Sequence, residues 1–105
     1  MLIRDLLSRT RPAISFEIFP PKPETPIETV FKTVAGLKEL SPDFISVTYG
    51  AGGSSRDRTV EIASAVHNRW GLVSLAHLTC MGSSPAEVEK VMEDLEQEGV
   101  CNILA

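Results

Sequence analysis

Apolar positions along this chain fall into two kinds of run: short stretches four to six residues long, and longer stretches in which they recur every three to four residues. Ile3, Leu6 and Leu7 have helical spacing and predict a short leading helix that covers one end of a sheet. Residues 13–19 read as a strand. Alternation places Phe16 and Ile18 on one face and Ser15, Glu17 and Phe19 on the other, before Pro20 and Pro21 end the run. Ile27, Val30, Phe31, Val34, Leu37 and Leu40 then mark a helix, with Thr25 as N-cap, Pro26 in the first turn and Glu28 reaching back as a capping box. After Ser41-Pro42-Asp43, residues 44–49 form a second strand that enters a glycine-rich loop, Gly50 to Ser55. A helix over residues 55–70 turns Ile62, Ala63, Val66 and Trp70 to one side, and Gly71 closes it. Residues 72–77 are a third strand. Ser84 and Glu87 frame a second capping box, ahead of a helix with Val88, Val91, Met92 and Leu95 on one face and Gly99 past its end. Residues 100–105 begin a fourth strand in which Cys101 reads as core packing.

Strands and helices alternating at these lengths predict an α/β fold with a parallel sheet. The fourth strand has no helix after it, so the chain reads as truncated, with an apolar edge left to aggregate or pair. At 105 residues, 43% hydrophobic and 23% charged, the composition suits one soluble globular domain. A net charge of −4 with scattered Lys and Arg argues against nucleic acid as a partner. No apolar run approaches the roughly 20 residues that span a bilayer, and the N-terminus lacks a signal-peptide pattern, so no membrane partner and a cytoplasmic location are expected. Cys80 and Cys101 are too few and too far apart for a zinc site or disulfide framework, and no metal site is expected.

Three polar clusters fall at the ends of the first three strands: Glu17; Thr48 to Ser54; and His77-Leu78-Thr79-Cys80. In parallel α/β folds that rim is where ligands bind. Each cluster also has a plain structural reading: an edge carboxylate in solvent, a flexible loop, a satisfied histidine. The glycines let a ligand approach the backbone closely, yet they match neither the dinucleotide fingerprint nor the P-loop. His67, in mid-helix, reads as solvated. Glu61, Glu87, Glu89, Glu93, Asp94, Glu96 and Glu98 read as solvated helix faces.

Taken together, Ser15-Phe16-Glu17-Ile18-Phe19-Pro20-Pro21-Lys22, Val47-Thr48-Tyr49-Gly50-Ala51-Gly52-Gly53-Ser54, His77-Leu78-Thr79-Cys80 and Asn102-Ile103-Leu104-Ala105 resemble the methylenetetrahydrofolate reductases in order and spacing. The resemblance covers nearly the whole chain. It implies an eight-stranded TIM barrel carrying FAD, of which residues 1–105 are the N-terminal portion of a single catalytic domain, about three and a half βα units. The family's Arg-Gly-Asp stretch, which helps bind flavin and folate, comes after the fourth strand and is missing from this sequence.

The resemblance further implies roles at matching positions. Glu17 matches the general acid that protonates a bridging nitrogen of the folate and opens its ring to an iminium ion. That role needs a carboxyl still protonated near neutral pH, which an apolar setting among Phe16, Ile18 and Phe19 favours. Thr48 and Tyr49 match residues that contact the flavin and the nicotinamide donor, Ala51 a backbone contact to FAD, and His77 another FAD contact. NADH or NADPH is the implied hydride donor, a folate the substrate, and a homo-oligomer the implied state of the intact enzyme. Two alternatives stay open: a non-catalytic half-barrel pairing through its open edge, and another flavin or aldolase-type barrel. The second is opposed by the lack of a strand-borne active lysine or a metal-ligand cluster.

Overall fold

The computed structural model describes residues 1–49 and 56–105. Its elements run α1 (Ile3–Leu7), β1 (Ser15–Ile18), α2 (Glu28–Lys38), β2 (Phe44–Val47), α3 (Arg56–Asn68), β3 (Ser74–His77), α4 (Pro85–Gln97) and β4 (Asn102–Leu104). The strands form one sheet in sequence order, β1-β2-β3-β4, with every neighbouring pair parallel. This is the α/β architecture that the alternating pattern predicts, built of successive βα units. The glycine-rich loop, Gly50 to Ser55, with Ala51 in it, lies outside the described residues.

Parallel pairing turns paired residues to the same side of the sheet, so register decides which side chains meet. Ile18, Ile45, Val47 and Ala76 face the helices and close a core with Val34, Ile62, Ala63, Val66, Val91 and Leu95. Each Val or Ile buried here contributes about 1.5–3 kcal/mol. α3 packs over β2 and β3, with α2 and α4 beside it. The opposite face carries Ser15, Glu17, Ser46, Leu75, His77, Asn102 and Leu104 and is polar or open.

Several sequence expectations are corrected. Thr25 does not cap α2: the helix starts at Glu28 after a tight turn, and no side chain caps it. Pro26 removes an amide there, and the Thr25 carbonyl is instead taken by Arg58. The second capping box forms as predicted, Ser84 and Glu87 bonding each other's backbone amides. Leu40 and Met92, placed on apolar faces by periodicity, are 66% and 48% exposed. Leu40 lies beyond the last turn of α2. Cys101 is exposed, because the approach to β4 turns Val100 rather than Cys101 into the core. His67 is half-buried, not solvated. Gly99, at φ +80°, lies so close that a Cβ there would be 3.0 Å from His67 Nε2.

The amino-terminal edge of the sheet is tied by two polar residues. Asn102 Oδ1 accepts from the Ile3 amide (2.9 Å) and its Nδ2 donates to the Met1 carbonyl (3.0 Å), which holds the leading segment against β4. Asp43 Oδ2 accepts from the Ile14 amide (2.8 Å) and from Arg11 Nη1 (3.1 Å), while Oδ1 faces Arg11 Nη2. The Asp43 amide in turn donates to the Ile14 carbonyl at 2.7 Å. These bonds join the approaches to β1 and β2. The Arg11 hydrogen bond first, then the Ile14 amide, hold the Asp43 carboxyl below its ordinary value of 3.8. The folded state therefore binds this proton less tightly than the unfolded chain. Its contribution to stability is fully present above about 3.8 and is lost as pH falls through the lowered folded value. Asp43→Asn should lower Tm at neutral pH, and the gap from wild type should shrink in thermal melts below pH 3.8. A gap that stays constant down to the most acidic melt would contradict this role.

Candidate active site

Glu17, Ser46 and His77 meet on the open face at the carboxyl rim of the sheet. Glu17 and Ser46 are direct register partners on β1 and β2, and His77 lies one pleat further along β3, two residues past Leu75, the partner of Ser46. Ser46 Oγ donates to Glu17 Oε1 at 3.1 Å. His77 Nε2 lies 3.5 Å from the same oxygen, close enough for an ion pair when the imidazole is protonated. Among the described residues Glu17 Oε2 has no hydrogen-bond partner. Three adjacent strands thus contribute one carboxyl, one hydroxyl and one imidazole, with the carboxyl's second oxygen open to a ligand. That arrangement can hold and move a proton.

The apolar enclosure expected for Glu17 is not present in this chain. Phe16 and Ile18 turn toward the helices, Phe19 is 69% exposed, and the Glu17 side chain is 50% exposed against 24% for His77. Alternation along the strand puts Phe16 and Ile18 opposite Glu17, not around it.

Thr48 and Tyr49 continue directly from β2. The Thr48 amide donates to the Ile18 carbonyl (3.0 Å), extending the β1–β2 ladder, and its carbonyl accepts from Thr59 Oγ1 (3.1 Å), a residue only 2% exposed. The first turns of α3 thereby fix the end of β2. Tyr49 is partly buried and packs against the hydrophobic core. Beyond His77, a surface hollow of about 390 Å³ is lined by Leu78, Thr79, Cys80, Met81 and Leu104. A larger apolar groove of about 950 Å³ lies between α4 and β4, lined by Val88, Met92, Val100 and Ile103; it touches the rim clusters at Cys80 and includes none of Glu17, Ser46 and His77.

Sequence reasoning passed over Arg58 and Ser46. Arg58, in the first turn of α3, donates from Nη1 to the carbonyls of Thr25 (2.8 Å), Lys22 (3.1 Å) and Pro21 (3.5 Å), and from Nη2 to Pro23 (3.0 Å). A segment with prolines at 20, 21, 23 and 26 has few amides of its own, so its carbonyls need an outside donor, and the planar guanidinium supplies several in one plane. The scarcity of amides was the available signal. Ser46 sat unremarked inside an apolar strand. Asn102, part of the fourth motif that carries the family resemblance, is a structural tie at the amino-terminal end of β4. Among the described residues no group of three His, Cys, Asp or Glu could hold a metal, and no helix is long and apolar enough to cross a membrane.

Fold and rim together define a parallel α/β protein that carries an acidic residue where such folds place their chemistry. Its sequence matches the profile of methylenetetrahydrofolate reductase over residues 2–105, and the chain belongs to that family. It is 38% identical over 92 residues to the 5,10-methylenetetrahydrofolate reductase of Escherichia coli, covering 88% of this chain and 31% of that protein. It is 36% identical over 103 residues to methylenetetrahydrofolate reductase (NADH) 1 of Arabidopsis thaliana, covering 98% of this chain and 17% of that protein. A Zea mays protein of the same name is 37% identical over 95 residues. The chain thus spans less than a third of the length of these relatives.

Because Arg58 bonds carbonyls that water can otherwise reach, Arg58→Gln should cost only about 1 kcal/mol in global stability while loosening the 21–25 segment. Hydrogen exchange at the Thr25 amide, which donates to the Lys22 carbonyl at 2.9 Å, should speed up at least tenfold, and Arg58→Lys should restore little, since one ammonium cannot serve carbonyls spread across a guanidinium plane. Unchanged exchange at Thr25 would show that the segment holds its shape without Arg58.

Proposed function

We propose that this chain supplies the proton donor and part of the flavin cradle of a methylenetetrahydrofolate reductase that makes methyltetrahydrofolate for methionine synthesis. The observation that carries this reading is the placement of Glu17, on the open face at the carboxyl rim, with Ser46 and His77 sharing one of its oxygens. Its support from relatives is the name that the Escherichia coli and plant proteins bear.

The residues present fit a flat, polar-edged ring. The rim offers a half-buried imidazole at His77, the hydroxyl of Thr48, and an apolar floor at Leu75 and Leu104 on the same face. Thr48, Tyr49, Ala51 and His77 would hold FAD. When bound, FAD would supply hydride transfer from NADH or NADPH to the folate. The work of this chain is to place the ring and manage the proton. Glu17 gives its proton to the bridging nitrogen of methylenetetrahydrofolate; the C–N bond breaks with its electron pair going to that nitrogen, and the resulting iminium carbon is ready for hydride.

A second reading, a non-catalytic module that pairs through the β4 edge, is favoured by one observation: Ile103 and Leu104 are 37% and 54% exposed there. Substitution separates the two. In the flavin-loaded protein, Glu17→Gln should retain FAD and be reduced by NAD(P)H at a rate within twofold of wild type, yet reduce methylenetetrahydrofolate about 10²–10⁴-fold more slowly. Folate reduction within a few-fold of wild type would remove Glu17 from the reaction and leave the second reading standing.

A further inference from the structure

We infer that Ser46 is a positioning residue which reserves Oε1 of Glu17 as a permanent acceptor and so makes Oε2 the oxygen that delivers the proton. The inference rests on the role of Glu17 proposed above and adds the atom and the residue that selects it. Ser46 is the register partner of Glu17 and is 6% exposed, between Ile45 and Val47, which are fully buried on the other side of β2. Its backbone therefore has little room to move. Its hydroxyl donates to Oε1 at 3.1 Å, and His77 Nε2 approaches that same oxygen to 3.5 Å from the third strand.

A donor aimed at Oε1 is compatible with either protonation state of the carboxyl. In the carboxylate Oε1 is a charged acceptor; in the acid it is the carbonyl oxygen, which also accepts. A proton placed on Oε1 would oblige the Ser46 hydroxyl to turn round and accept, and its hydrogen would lose the acceptor it has among the described residues; the acid form therefore favours its proton on Oε2, which has no partner among them. In the transfer the Oε2–H bond breaks and an N–H bond forms at the nitrogen's lone pair. The electron pair left on Oε2 spreads over the carboxylate, and the Ser46 hydrogen bond strengthens as Oε1 gains charge. A preset donor that gains strength as charge develops lowers the barrier without reorganising.

Valine and threonine have nearly the same shape and differ by the hydroxyl, so Ser46→Thr and Ser46→Val form a pair in which any packing disturbance is shared. In the flavin-loaded protein, Ser46→Val should reduce methylenetetrahydrofolate about tenfold more slowly than Ser46→Thr, with reduction by NADH within twofold in both. Isotope-edited infrared spectra of the 105-residue chain, taken as differences against Glu17→Gln, should show the Glu17 carboxyl band displaced in Ser46→Val and near its wild-type position in Ser46→Thr. Equal folate rates in the Val and Thr variants, or equal carboxyl bands, would overturn the inference. A Glu17→Gln variant that keeps folate activity would instead overturn the proposed function itself, so the two failures are distinguishable.

Discussion

Parallel register between neighbouring strands is the constraint on which the rest of this structure depends. Pairing Glu17 with Ser46, and Ser46 with Leu75, puts every second residue of β1, β2 and β3 on the open face and every intervening one in the core. A slip of one residue on β1 would send Glu17 into the apolar layer and lift Ile18 into water, and a slip on β3 would do the same with His77 and Ala76. The cost of that exchange, about 1.5–3 kcal/mol for each Val or Ile exposed, makes the core the guarantor of the site. The same helices that bury one face of the sheet hold the polar face in order.

The two ends of the sheet do different work. At the amino-terminal edge Asp43 and Asn102 bond backbone groups of segments distant in sequence and tie the chain's beginning to β2 and β4. At the carboxyl rim Arg58 and Thr59, both from the first turns of α3, hold the segment after β1 and the end of β2 through carbonyl oxygens. One helix therefore holds both the segment that follows β1 and the end of the neighbouring β2. Stability at one edge and chemistry at the other is the division that βα folds use generally.

Much of this was legible in the chain itself. Strand and helix order, the Ser84–Glu87 box and the closing glycines followed from period and cap chemistry, because those signals are local. Glu17 and His77 were legible as rim residues, since alternation and strand ends are also local. Other features were not. Thr25 fits a capping box in sequence, yet a neighbouring proline and a carbonyl claimed by Arg58 give it another role. Met92 and Cys101 have core-like spacing or character, but α4 and the approach to β4 present Val91 and Val100 to the core instead. Ser46 and Arg58 escaped notice for a shared reason. Their partners are 29 and 33 to 37 residues away, and a long-range hydrogen bond leaves no periodic trace.

The central claim, that three strands bring Glu17, Ser46 and His77 onto one face, is open to a direct measurement. With only two imidazoles in the chain, the ring protons of His77 can be assigned by replacing His67, and their through-space NMR contacts read individually. The account predicts cross-peaks from the His77 ring to the Glu17 γ protons, and none to the methyl groups of Val47 or Ile18. Cross-peaks to Val47 or Ile18 in place of Glu17 would put His77 on the helix side and contradict the register from which the site is built.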